Sequence, residues 1–255
     1  MRKLSSIGIA IGLLAAALGI AACGGDGSGG GSGDTSTAAS SSQLPQGSEP
    51  VNLDPADFTT DITNQYWPMS PGSRWVYRET DGKGGVQRVV VTVTDQTKVI
   101  DGVTARAVHD VVSEDGQPVE VTDDYYAQDS SGTLWYLGEN TAEYENGKVS
   151  SREGSFEAGV DGAQAGVILP GDPQVGQSYR QEYKAGEAED QGKILTLDGT
   201  VTVPFGHFTG ALGTEDSNPL DGSVEHKFYA KGVGPVQTLD VGTKGQEVLL
   251  SYVEG

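Results

Sequence analysis

From Arg74 to Arg152, and again from Gln191 to the C-terminus, apolar and polar residues alternate in short runs, and no window repeats apolar residues at helical spacing. Period two is the signature of strands with one face buried. Arg74 to Arg78 (RWVYR), Gln87 to Thr94 (QRVVVTVT) and Thr104 to Val112 are such runs, rich in β-branched and aromatic residues. Between runs lie the pairs Asp101-Gly102, Asp115-Gly116 and Asn146-Gly147. These residues tolerate the positive φ of tight hairpin turns. The expected fold class is all-β with at most short helices, one of them a single turn beginning at Asp54-Pro55. About 11–13 antiparallel strands are expected, forming a long curved sheet or open half-barrel. A chain of 255 residues is long enough to bury a core in one such domain.

The alternation stops between Glu153 and Asp190, where Gly recurs at 154, 159, 162, 166, 171, 176 and 186. Residues 153–171 are expected to be a loop joining two similar meanders, about 66–152 and 172–255. Gly72-Ser73-Arg74-Trp75 corresponds to Gly176-Gln177-Ser178-Tyr179, Val89 to Thr94 to Ile194 to Val203, and Gly102 to Gly206. Tyr125-Tyr126-Ala127 corresponds to Phe228-Tyr229-Ala230. One meander has one apolar face and cannot bury it alone, so two closing on each other make physical sense. The small residues of the loop suit a plug laid over the sheet or a lid over a ligand cavity.

Residues 1–22 carry the parts of a signal peptide: Arg2 and Lys3, an apolar run from Ile7 to Leu18, then small residues. Cys23, the only cysteine, rules out a disulfide within the chain. The end of the leader, Ile20-Ala21-Ala22-Cys23, resembles the lipobox of bacterial lipoproteins. That resemblance implies a diacylglyceryl group on the Cys23 sulfur, Cys23 as the mature N-terminus, and a lipid anchor facing outside the cytoplasm. Two acyl chains give stable membrane attachment where one does not. Residues 23–49 are a Gly/Ser/Thr linker, too polar to offset the entropy of ordering. As a coil it reaches on the order of 25–30 Å. Residues 50–255 form the expected single β domain.

Gly-x-x-Trp-x-Tyr at Gly72 to Tyr77, Val203-Pro204-Phe205-Gly206-His207-Phe208, and Phe228-Tyr229-Ala230-Lys231-Gly232-Val233-Gly234 resemble segments of bacterial envelope proteins with long antiparallel sheets. The resemblance covers most of residues 66–240. It implies a curved sheet similar to the lipoprotein-carrier fold and carries no established activity. Lys231 and Pro235 depart from the usual pattern without altering the turn.

Sixteen basic residues against 36 acidic ones give a formal charge of −20. Such a chain repels phosphate backbones, which disfavours nucleic acid as a partner. No nucleophile elbow and no metal-spaced histidine pair is present. No catalytic residue and no cofactor is expected. Ca²⁺ is the one ion that acidic, Gly-rich turns suggest, through Asp123, Asp124, Asp129 and Asp161. The expected function is binding without catalysis. An apolar envelope ligand would contact Trp75, Tyr77, Tyr125, Tyr126 and Trp135. The alternative is a structural or protein-interaction envelope module with a filled core. A carboxylate-based hydrolase is more distant. An aromatic-lined cavity of several hundred Å³ would favour the first, and a filled interior the second.

Overall fold

The computed structural model describes residues 44–255. The signal peptide, Cys23 and the linker as far as residue 43 lie outside the described residues. A 3-10 turn at Pro55–Asp57 is capped by Asp54, which accepts from the Ala56 amide at 3.0 Å. The strands are β1 (Phe58–Thr59), β2 (Arg74–Thr80), β3 (Val86–Ile100), β4 (Val103–Glu114), β5 (Gln117–Asp129), β6 (Leu134–Glu145), β7 (Lys148–Ser151) and β8 (Phe156–Glu157). They continue with β9 (Gln164–Leu169), β10 (Ser178–Arg180), β11 (Glu182–Tyr183), β12 (Gln191–Val203), β13 (Gly206–Ser217), β14 (Val224–Ala230), β15 (Gly234–Asp240) and β16 (Gln246–Val253).

The all-β, antiparallel sheet expected from the alternation is the one the chain forms. Its strand order is β10-β12-β13-β14-β15-β16-β2-β3-β4-β5-β6-β9-β11, with β1, β7 and β8 paired off this path. Two runs of consecutive hairpins, β2 to β6 and β12 to β16, join where β16 pairs with β2, setting Leu249 beside Tyr77. At the far ends, β11 pairs with β9 and β10 with β12. Only Gln181 separates β10 from β11, so the chain itself steps across the gap. The sheet is thus nearly closed into a barrel with one seam.

The segment expected as a 153–171 loop carries two strands. β8 pairs with β6, and β9 lies between β6 and β11. The alternation fails here because both faces of β9 are covered: residues 165–169 are all buried. Gly166 is required by close approach, since a Cβ there would lie 2.2 Å from the Gln181 carbonyl. The segment is therefore part of the wall and neither plugs nor covers a concave sheet.

Arg180 fastens the seam. Its Nε and Nη2 donate to the Ala165 carbonyl at 3.2 and 2.9 Å, and its Nη1 donates to Gly47 and Glu49 carbonyls at 2.7 Å each. The Arg180 amide donates to Pro45 at 2.7 Å. Residues 44–49, expected to belong to the linker, are therefore strapped onto the barrel. A buried guanidinium needs acceptors, and the strap's carbonyls supply them.

The main core lies inside the barrel. Trp67 sits between Tyr126 and Tyr229, at 5.6 and 6.0 Å between ring centroids. A smaller core on the outer face, including Ile100, Val103 and Leu137, is covered by Phe58 and neighbouring residues.

Local geometry recurs between the two halves. Gly72, at φ +92°, ends a turn closed by the Ser73 amide donating to Ser70. Gly176, at φ +86°, does the same in the Gln177 to Gln174 turn. Positive φ at the third position of such a turn favours glycine. Gly72 and Ser73 then exchange hydrogen bonds with Val93, as Gly176 and Gln177 do with Ile194, all at 2.9 Å. Register shifts fall at Tyr125/Tyr126 and at Phe228/Tyr229.

Candidate functional site

Strand parity decides what faces inward. On the β5–β6 ladder the inward rungs are Tyr126 with Tyr136, Asp124 with Glu139, Thr122 with Thr141, and Glu120 with Glu143. The interior thus runs from aromatic at one end to acidic at the other. Asp110, Glu182 and Glu247 are also buried. The single buried lysine among the described residues, Lys227, pairs with Asp216 at 3.1 Å and Glu225 at 3.4 Å. Burial alone would push its ammonium down, but these two carboxylates outweigh burial and raise it.

Six buried acids, Asp110, Glu120, Asp124, Glu139, Glu182 and Glu247, are held above the ordinary carboxylate range. Burial raises Asp110, and Asp124 and Glu120 add to it. Burial raises Glu182, with Asp190 and Glu139 beside it. Asp124 is pushed up to about 7, mainly by burial and against the hydrogen bond from Tyr136. Glu120 is pushed up to about 7 by burial and by Glu143 opposite. Protonated at mildly acidic pH, these groups are neutral and tolerable inside a barrel.

There is little room among them. The cavity bounded by Trp67, Tyr126, Gln181, Lys227 and Tyr229 measures about 10 Å³, roughly the space for one water. Asp124 and Glu139 are 1% and 4% exposed, out of reach of a substrate.

The open concavity lies elsewhere. β5 and β6 share their last rung at Glu120 and Glu143. Beyond it, Pro118 and Gln117 pair only with β4, while Tyr144 and Glu145 pair with β7. Register shifts sit at Val112/Ser113 and at Glu143/Tyr144, one on each side of the split. Bulges bend and twist a strand, and here two of them part the hairpin tips. Between the tips is a groove of about 680 Å³, floored by Pro118, Val119, Val121 and Tyr144 and rimmed by Glu114 and Asp115.

The residues expected to bind an apolar ligand are not gathered at one place. Trp75 and Tyr77 are core, their polar tips donating to Val233 and Pro235 carbonyls at 2.7 and 3.0 Å. Tyr126 is core beside Trp67. Tyr125, one residue away, faces outward beneath the Lys98 ammonium at 4.8 Å. Trp135 also lies outside, edge-on to Phe58. Consecutive strand residues point to opposite faces, so Tyr125 and Tyr126 cannot line one pocket.

The four aspartates suggested for Ca²⁺ are likewise apart. Asp123 bonds His109 outside at 2.7 Å, and Asp124 is inside. Asp129 caps the β5–β6 turn, accepting from the Ser131 and Thr133 amides and from Trp135 Nε1. Asp161 occupies a turn at φ +52°. Among the described residues no group of three or more His, Cys, Asp or Glu side chains is placed to hold a metal ion.

Sequence reasoning passed over Glu120, Tyr136, Glu139, Tyr144 and Arg180. Parity with Tyr126 could have placed Glu120 and Asp124 inside. Nothing local marks Arg180.

No family model matches the chain, and no curated protein matches it. Two solved structures are similar to it. One is a predicted exported protein with a YmcC-like fold from Bacteroides fragilis, 13% identical, with a TM-score of 0.44 over 74% of this chain and 99% of that one. The other is a predicted lipoprotein from Parabacteroides distasonis, 14% identical, with a TM-score of 0.39 over 74% of this chain and 98% of that one.

Proposed function

We propose that this protein is a lipid-anchored, extracytoplasmic module of the bacterial cell envelope that binds a partner protein without catalysis. The groove between the β4–β5 and β6–β7 hairpin tips is its docking surface. The leader and Cys23 support the placement, and the groove carries the binding role. It is a concavity within the size range of ligand sites, about 300–1,000 Å³, and it has an apolar floor. The roughly 10 Å³ beside Trp67 and Tyr126 favours this reading over storage of an apolar cargo.

Two measurements test it. Cys23→Ser should move the protein from the membrane fraction to the soluble one; retention in the membrane would remove the anchor. A photo-crosslinking side chain at Asn146, beside the groove, should give a discrete protein adduct in intact cells. The same group at Asp198, on the opposite run of hairpins, should not. Equal labelling from both positions, or none from Asn146, overturns the docking role.

A further inference from the structure

The barrel closes through short strands. β11 meets β9 in two rungs, Glu182 with Ala165 and Tyr183 with Gln164, and β10 meets β12 in three. At the step between them, the amides of Gln181 and Glu182 both donate to the Asp190 carbonyl, at 2.8 and 3.4 Å. Buried oxygens without a hydrogen-bond partner collect here: Gln181 Oε1, both carboxyl oxygens of Glu182, and Asp190 Oδ1. Native interiors hold few such atoms, and a charged one costs far more to bury than a neutral one. The titratable neighbours of Glu182 are mostly acids. β6 brings Tyr136 and Glu139 toward it, β5 brings Asp124, and the segment between β11 and β12 brings Asp190. β9 carries no titratable group. Lys227 of β14 favours a charge on Glu182 but is already paired with Asp216 and Glu225. Arg180 of β10 is committed to the Ala165, Gly47 and Glu49 carbonyls.

We propose that this step is a pH-operated closure: it stays shut while Glu182 holds its proton, and β11 parts from β9 once that proton is lost. A neutral carboxyl without a partner is tolerable at the seam. A carboxylate there is repelled by Asp124, Glu139 and Asp190 and gains by moving into water, with only two rungs to break. Burial, with Asp190 beside it, raises Glu182 in the closed state, and in water it returns to its ordinary 4.5. Below that value both states hold the proton and closure is complete. As pH rises above it the open state releases the proton first, so closure weakens. Ile168 of β9 and Gln181 of the step both bound the small cavity beside Trp67 and Tyr126. The motion that hydrates Glu182 therefore also opens this cavity to solvent.

The test is hydrogen exchange read by mass spectrometry on the full chain in detergent micelles, at pH 5 and pH 8, with intrinsic rates corrected. Segments 164–169 and 178–183 should lose at least about tenfold more protection between the two pH values than residues 89–93 of β3. One proton can contribute up to about tenfold per pH unit. The comparison with β3 separates the seam from the general fall in stability. Glu182→Gln keeps the shape of the neutral acid and should bring the difference from β3 below about threefold. Glu254→Gln, at the exposed C-terminus, should respond to pH as the parent does. Equal losses in the seam and in β3 would mean that pH acts on the barrel as a whole, and would overturn the proposal. So would a seam that stays as pH-sensitive in Glu182→Gln as in the parent, or one better protected at pH 8. If Glu182→Gln does not fold, the parent decides alone when titrated in steps from pH 5 to pH 8. Seam protection that falls ahead of β3 supports the closure, and protection that falls in step with β3 overturns it.

Discussion

Tyr136 donates its hydroxyl proton to Asp124 across the β5–β6 ladder at 2.6 Å, deep in the barrel. The same oxygen lies 2.9 Å from Glu139. A phenol has one proton to give, so the second contact requires Glu139 to be a protonated acid donating to Tyr136. Burial, with Asp124 beside it, raises Glu139 well above the ordinary range and keeps that proton in place. Tyr136→Phe leaves both carboxyls buried without this partner. A loss of about 1–3 kcal/mol is expected, measured by urea denaturation. Adding Asp124→Asn should recover part of it. A Tyr136→Phe protein as stable as the parent would remove the hydroxyl from any structural role.

The acidic interior sets an unusual pH dependence. Glu120 moves from 4.5 to about 7 on folding and Asp124 from 3.8 to about 7. Below about pH 4 both states hold these protons and stability is complete. Between pH 4 and 7 the unfolded chain releases them first, so stability falls as pH rises, levelling for these two groups above 7. Glu120 alone accounts for a loss of order 3 kcal/mol. Asp110, Glu182 and Glu247 are raised by burial and act in the same direction. Glu49 is lowered by the Gln46 amide and acts oppositely, but only below its ordinary range. The urea midpoint should therefore be higher at pH 5 than at pH 8. The reverse order would mean the interior carboxyls are ionised and hydrated in the folded protein.

Parity and turn chemistry made much of the barrel legible. Asp101-Gly102, Asp115-Gly116 and Asn146-Gly147 all sit at hairpin tips with positive φ at both residues. Val89, Val91 and Val93 point inward as their spacing requires. The rest was hidden for identifiable reasons. β9 lost its alternation because Val167, Ile168 and Leu169 are all buried in the main core and Ala165 in the smaller one. Asp124 and Glu139 read as solvated charge because nothing in their own strands tells how far the sheet curls. The groove depends on two bulges, and a register shift belongs to a pair of strands, not to either sequence alone.

Arg180 holds the strap and the seam together through one planar fork. Lysine keeps the charge but cannot reach Ala165 on one side and Gly47 and Glu49 on the other. Arg180→Lys should cost about 2–4 kcal/mol, since it leaves several buried acceptors unpaired. Hydrogen exchange should rise first at residues 44–49 and in β9. Uniform exchange across the barrel would mean the seam opens only with global unfolding.

Gly166 and Gly176 separate two reasons for glycine. At Gly176 an added methyl meets nothing within 4 Å, and the only penalty is φ at +86°. Gly176→Ala should therefore cost about 1–2 kcal/mol and leave the seam intact. At Gly166 the backbone angle permits any residue, but a Cβ would lie 2.2 Å from Gln181 backbone atoms. That neighbour is main chain on the strand step that closes the barrel, so it cannot swing aside as a side chain would. Gly166→Ala should force β9 and β11 apart, costing at least about 2–3 kcal/mol, with exchange rising at Ala165 to Val167 and Glu182 to Tyr183. Equal, small losses from the two substitutions would mean the barrel tolerates a wider seam, and that β9 and β11 are not held in close register.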